Sequence, residues 1–464
     1  MSYPTQNSYS KQKPIAIIGG GSAGLTAAAF LRRHQVPFIL YEAGKKIAGL
    51  ASSFHDTDGF TYDFGAHFIT NRLAAAIGIG AQCRDVKYHG ESVLVGGKTY
   101  SYPFGLLQNP RYFASGLASK VLPTNVERMN SSAAEWFRAN YGKTLANEVA
   151  IPLLEAWSGV SASELSASVG SKLQNTIGQT LKLKTASYLT GRAVACGYSH
   201  EVSENSHVWH VYPEGGVGLL CQRLATGLED AIRLESPVEE INVEGDPCGN
   251  GGAARVQSIR VNGREQAVSA VISTAPCHLL AKMVKGTDAL QPLSKFRYRP
   301  MSFVNMRFEG RGLLKDTVLW TPESAFPFFR LTETALSMPW LAPSGKTLIT
   351  VDIGCEVGDE IWRMDDDSLG KLCLEHLKPI IPSAAQRYQG CRVLRTPIAY
   401  PVFLNQYEQT RQHLEHSTGV EGLHTIGRNG EFCHSLMEDV YWRTQRKMLQ
   451  LLTPQPLVPS LVSA

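Results

Sequence analysis

PIAIIGGGSAGLTAAAFLRRHQVPFILYE, residues 14–42, reads as a complete strand, glycine turn, helix, strand and acid. Ile15 to Ile18 form a short apolar run of buried-strand type, followed by Gly19, Gly21 and Gly24 in the order G-x-G-x-x-G. Gly24, Ala27, Ala28 and Leu31 fall at helical spacing, Phe38–Tyr41 reads as a second strand, and Glu42 closes the unit. Each part has a physical task. Gly19 permits a tight turn, Gly21 lets a pyrophosphate approach the backbone, and Gly24 lets the helix lie close on the strand. Ser22 and Ala23 belong to the same cradle, where the free N–H groups and positive dipole end of the helix face that anion. Glu42 is placed to accept hydrogen bonds from a ribose diol, which favours FAD or NAD over NADP.

The rest of the composition narrows the class. At 464 residues the chain exceeds the size at which single cores stop growing, so two domains are expected. A net charge of +4 argues neither for nor against an anionic partner, and the lack of any basic run predicts no nucleic-acid partner. The mainly apolar stretches, such as Leu73 to Ala81, are far shorter than a bilayer span. The polar opening MSYPTQNSYSKQK has no signal-peptide core, which predicts a cytoplasmic protein. Nine cysteines without a C-x-x-C pair predict reduced thiols, and thirteen histidines without H-E-x-x-H spacing predict no metal site.

The pattern along the chain predicts an α/β fold. Residues 1–13 and 453–464 read as tails, and residues 110–190 are largely helical in pattern. Short strands recur at Val238–Val243, Val256–Val261 and Ala267–Ser273, with the polar loop Gly245–Ala254 as a hairpin connection. Strands dominate from 297 to 400, and the strand ending at Ile426 runs into a second glycine turn, Gly427-Arg428-Asn429-Gly430, before a helix from about Met437. A nucleotide unit therefore opens the chain and a second glycine-ended strand closes it. This predicts one discontinuous nucleotide domain, 14–75, 208–290 and 392–452, and a second domain from 76–207 and 291–391.

Over most of its length the sequence resembles the FAD-dependent superfamily of monoamine oxidases, protoporphyrinogen oxidases, carotenoid desaturases and UDP-galactopyranose mutases. GGGSAGLTAA with YEAGKKIAGLASSF is similar to the family's fingerprint and its glycine extension, SPVEEI and VISTAP to the strands enclosing the cofactor, and GRNGEFCHSLMEDVYW to its terminal block. The resemblance implies FAD bound non-covalently in a Rossmann-type domain, beside a mixed α+β substrate domain. It implies cofactor contacts from Gly49, Leu50 and Ala51, from Gly65, Ala66 and His67, from the Val238 backbone, and from Gly427, Arg428, Met437 and Glu438. Arg428 would neutralise phosphate or anionic flavin. The helix beginning at Met437 and Glu438 would set its positive end against the flavin. The family's extension carries a Gly-Gly pair and then an arginine. Here Ala48-Gly49 stands in its place and no arginine follows. Alanine fits that position where φ is negative.

The branches differ in chemistry. The strand PMSFVNMRF, 300–308, carries no lysine of the kind amine oxidases place beneath flavin N5. EWFRANYGKTLANEVAIPLLEAWSGVSASELSA and YPEGGVGLLCQRLATGL resemble the protoporphyrinogen-oxidase and desaturase branch. YDFGAHFITN, GKTYSYPFGLLQNP and AYPVFLNQYE resemble the mutase branch, in which Arg307, Arg330 and Arg395 are candidates for a diphosphate. His67 is the candidate catalytic residue, able to bond the cofactor, to move a substrate proton, or simply to cap a strand end. Tyr102, Trp157, Arg330 and Tyr400 are candidate substrate contacts. The expected activity is oxidation of a small organic molecule by hydride transfer from a C–C or C–N bond to flavin N5, with dioxygen or another acceptor reoxidising the flavin. A sugar isomerase using reduced FAD without net redox is the alternative, and a non-catalytic FAD-binding relative a second. Membrane contact is expected to be peripheral at most, through residues 105–125, and no motif bears on oligomeric state.

Overall fold

Five parallel strands form the sheet on which the glycine turn sits. The computed structural model describes residues 13–65, 67–102, 104–121, 131–173, 177–245 and 254–453. In it Ile15–Ile18 is the central strand, flanked by Phe38–Tyr41 and Ala270–Ser273, with Ile232–Arg233 and Leu423–Thr425 outside them. All four residues of Ile15–Ile18 are buried, as expected of a parallel strand covered on both faces. One face packs on Leu25 and Leu31 of helix Ser22–Arg33 and on Val440 and Met448 of helix Met437–Leu452. The other packs on Ile241, Val256 and Leu280. Helix Ser22–Arg33 stops where Gln35 turns to φ 56° ahead of Pro37.

A four-stranded sheet follows from residues 238–285, in which Val238–Glu244 and Arg255–Val261 pair antiparallel. This is the expected hairpin; its connection at 246–253 lies outside the described residues. A seven-stranded sheet runs in the order Tyr388–Pro401, Tyr298–Glu309, Lys346–Gly354, Arg330–Glu333, Val318–Trp320, Glu91–Val95, Lys98–Ser101. Strand Tyr388–Pro401 crosses the expected domain boundary at 392 and stays in this sheet along its whole length, with a register shift beside Pro300, which has no N–H to give the ladder.

Helical segments at Pro110–Val121 and 146–158 set Tyr112, Val149 and Leu153 against Val93 and Trp320 of this sheet. Among them a π turn at Ala146–Ala150 precedes helix Ile151–Ser158, where Pro152 removes one N–H donor from the regular ladder. Among the described residues no helix is long and apolar enough to cross a membrane.

The contact that closes the sheet against its first helix is testable. A Cβ on Gly24 would lie 1.9 Å from the Gly19 carbonyl oxygen, a backbone atom that cannot swing aside. Gly24→Ala should therefore cost about 1–3 kcal/mol in chemical denaturation; an unchanged midpoint would contradict the close approach.

Candidate functional site

All strands of the parallel sheet end at one edge, and there the turn residues meet. Gly19 has φ 98°, and a Cβ on it would strike the Thr274 hydroxyl at 2.1 Å. Gly21 is different: the one atom near a Cβ there is the Ala48 carbonyl oxygen, 4.0 Å away. Protein packing does not demand glycine at 21, so its bare backbone is free for a ligand to approach. The helix behind it has no side-chain cap and no acid in its first turn, which leaves its N–H groups to an anion. Glu42 accepts from the Gly20 and Gly44 N–H groups, each at 2.7 Å, and each carboxylate oxygen keeps a further lone pair. Gly427, at φ 77°, brings the terminal turn against the opening helix, where a Cβ would lie 2.7 Å from that of Ala23. The helix at Met437 likewise starts without a side-chain cap. These features fit a dinucleotide diphosphate and its ribose.

One cavity of about 2240 Å³ runs from this edge to the inner face of the seven-stranded sheet. Ordinary small-molecule pockets are roughly 300–1,000 Å³, so it has room for a dinucleotide and a substrate together. Gly19, Gly21, Ser22, Ala23, Glu42, Gly49, Leu50, Ala51, His67, Gly427, Arg428 and Met437 line it, and so do Tyr102, Trp157, Arg330 and Tyr400. Gly24 stands behind the turn, and Val238 is buried at the start of its strand, outside the cavity wall. Gly65 packs on Phe303, and Ala66 lies outside the described residues. Glu438 also lies off the wall, paired with Arg72 at 2.7 Å. Arg307 turns away as well, to Asp58 at 2.7 Å and Asp56 at 3.4 Å; Arg395 lines the cavity but gives its guanidinium to the Met364 carbonyl at 2.5 Å and to Asp366 at 3.7 Å, whereas Arg330 remains on the wall.

The Nε2–H of His67 donates to the Phe64 carbonyl at 2.7 Å, so Nδ1 carries the lone pair. Burial, with Arg428 and Arg330 nearby, lowers its pKa to about 4 and keeps the ring neutral. Tyr400 lies 5.2 Å from Trp157 between ring centroids, and the Arg428 guanidinium covers the Tyr400 ring at 5.5 Å. A polar stripe crosses the sheet here. Asp352, Arg330, Trp320 and Val93 sit opposite one another in register, and Glu91 follows two residues along from Val93 on the same face. Asp352 is fully buried and ion-pairs with Arg330, whose guanidinium lies 5.4 Å from the Trp320 ring. The Trp320 indole N–H donates to Glu91 at 2.9 Å. Sequence reading missed Glu91, His89, His210 and Trp320, because no motif marks them and strand pairing brings them together.

Ala48 departs from expectation. Its φ is 95°, so it occupies a glycine conformation with a Cβ in place. The strain is held by a hydrogen bond from its N–H to the Gly20 carbonyl at 2.8 Å.

The family model described as "Flavin containing amine oxidoreductase" matches residues 22–441. Coproporphyrinogen III oxidase of Bacillus subtilis (strain 168) is 22% identical over 414 residues, 80% of this chain and 83% of that protein. Human lysine-specific histone demethylase 2 is 24% identical over 326 residues, 67% of this chain; the chain spans 35% of that relative's length. In fold, the crystal structure of reduced UDP-galactopyranose mutase is similar, with a TM-score of 0.71, 19% identity, and 96% and 97% of the two chains covered.

Two outcomes follow from the geometry. Ala48→Gly relieves a left-handed alanine worth about 1–2 kcal/mol, less the entropy glycine adds to the unfolded chain. It should raise stability by about 0.5–1 kcal/mol in denaturant titration. His67 takes up a proton near the ordinary histidine value of 6.5 when unfolded and near 4 when folded. Its contribution is therefore fully present above about 6.5 and lost as pH falls toward 4. His67→Gln should flatten the acid side of the stability profile by on the order of 3 kcal/mol, and proton NMR of the wild-type ring should show no titration between pH 5 and 8.

Proposed function

The chain belongs to the flavin containing amine oxidoreductase family and is an FAD-dependent oxidoreductase, and on that premise we propose that it oxidises a C–C or C–N bond of a small organic substrate. The observation that carries this reading is the continuity of the cavity, which joins the glycine edge to a wall of aromatic and arginine side chains. The division this reading uses is a discontinuous Rossmann-type FAD domain from 14–75, 208–290 and 392–452, facing a substrate domain from 76–207 and 291–391, with 392–401 lending its strand to the substrate-side sheet. Gly19, Gly21, Ser22 and Ala23 would hold the pyrophosphate and Glu42 the ribose. Gly49, Leu50, Ala51, Gly427, Arg428 and Met437 would hold the remainder. Bound there, FAD would supply a two-electron acceptor for hydride at N5, with dioxygen or another acceptor as the final oxidant.

The protein's own part is binding, orientation and exclusion of water. Phe64, Phe68, Leu153, Phe303 and Phe329 give the cavity apolar walls, which keep water from the reacting bond. His67 is neutral with a lone pair on Nδ1. A base this weak orients a donor group instead of carrying its proton at neutral pH. Asp352 holds Arg330 in place from behind. Geometry therefore contributes more than acid–base chemistry.

A second reading, isomerisation of a sugar nucleotide on reduced FAD without net redox, is favoured by Arg330 and Arg428 lining the same cavity. Anaerobic titration separates the two. Substrate-dependent bleaching of the yellow protein supports oxidation, while turnover of a nucleotide sugar that appears only after dithionite reduction supports the isomerase. Purified Glu42→Ala should retain clearly less flavin absorbance than wild type at equal protein; equal retention would contradict the ribose role.

A further inference from the structure

Two acids in the first turn of helix Met437–Leu452 sit where negative charge is least wanted. Met437 and Val440 line the cavity, while Glu438 and Asp439 between them turn into the protein, 2% and 3% exposed. A hydride accepted by the flavin adds one negative charge to it, and the positive end of this helix would stabilise that charge. Buried carboxylates one and two residues farther along oppose the same charge unless something balances them.

The two acids are balanced differently. Asp439 accepts from neutral donors, the Ser199 hydroxyl at 2.8 Å and the N–H groups of His200 and Glu201 at 2.9 and 3.2 Å. Glu438 takes a full cation. Arg72, the second residue of helix Asn71–Ile77, donates from Nε to Glu438 Oε1 at 2.7 Å, and the Trp442 indole donates to the same oxygen at 3.1 Å. The other carboxylate oxygen, Oε2, is buried without a hydrogen-bond partner. Among the described residues Arg72 is therefore the ion-pair partner of this carboxylate, and its own side chain is only 20% exposed, so water screens the pair little. The arginine is held from both sides. Its remaining nitrogens donate to the carbonyls of Ser203 at 2.8 Å and Val202 at 3.4 Å, on the loop that supplies the donors to Asp439. Thr70 caps its helix by accepting from the Leu73 N–H at 3.1 Å.

We propose that Arg72, acting through Glu438, is a positioning residue that sets the reduction potential of the bound flavin. Neither side chain is on the cavity wall, so the pair acts by charge and not by contact with cofactor or substrate. Loss of the guanidinium leaves a buried negative charge beside the helix end and disfavours the reduced flavin. Loss of the carboxylate charge leaves the guanidinium and favours it. A pair that only held the fold together would not shift the flavin in opposite directions. The inference rests on the reading that the helix start at Met437 meets the flavin ring.

The test is anaerobic reduction of the FAD-loaded protein against a reference dye, with the midpoint read from the flavin absorbance. Arg72→Met should shift the midpoint to more negative potential, and Glu438→Gln should shift it to more positive potential. The double variant should return close to wild type. Arg72→Lys, which keeps the charge, should recover most of the Arg72→Met shift. Unmoved midpoints, shifts of the same sign in the two single variants, or a double variant displaced as far as either single one would overturn the proposal. If Arg72→Met does not fold, Glu438→Gln decides by its sign, and an unchanged or more negative midpoint overturns the proposal. A yellow protein whose midpoint ignores these changes removes only the role of Arg72, whereas a wild-type protein that takes up no flavin removes the cofactor reading itself.

Discussion

The close approach of helix Ser22–Arg33 to strand Ile15–Ile18 governs where everything else can sit. With no Cβ at Gly24 the helix start rests on the Gly19 carbonyl, which aims its N-terminal N–H groups over the edge of the sheet. Thr274 and Gly427 then crowd the same point from the neighbouring strands. The turn has almost no freedom left. A cradle built this way is pre-organised, so a bound diphosphate costs little ordering of the protein.

The second organising element is the face of the seven-stranded sheet. Register places Asp352, Arg330 and Trp320 in a row, with Glu91 just beyond, so positive and negative groups alternate across a short distance in a largely apolar cavity. Charges in such a setting interact strongly and lose their water, which makes their pairing consequential. Asp352 behind Arg330 fixes one end, and the Trp320 indole fixes the other. Either end is costly to strip of its partner.

The nucleotide edge was legible in the sequence because its signals are local. Gly19, Gly21, Gly24 and Glu42 lie within one short unit, and each has a backbone reason to be where it is. The terminal turn at Gly427 was legible for the same reason. The far wall was not. Glu91 meets Trp320 only because strand Glu91–Val95 pairs with Val318–Trp320, more than two hundred residues away. Nothing in ESVLV announces that partner. Arg307 was misplaced in expectation because its charge finds Asp56 and Asp58, on a turn whose nearness the sequence does not reveal. The conformation of Ala48 was hidden too, since a residue's identity alone does not report the sign of its φ. A dinucleotide was thus readable from one local turn and FAD from the family resemblance, while the substrate depends on pairings between distant strands.

The strand that completes the parallel sheet, Leu423–Thr425, comes from the far end of the chain, and Gly427 follows it directly. During synthesis, the fingerprint leaves the ribosome well ahead and must wait for about four hundred further residues before its last wall arrives. Pairings of such long sequence separation close slowly, and the nascent chain keeps an open strand edge at Ala270–Ser273 meanwhile. Completion of the dinucleotide edge therefore depends on a strand about four hundred residues from the first.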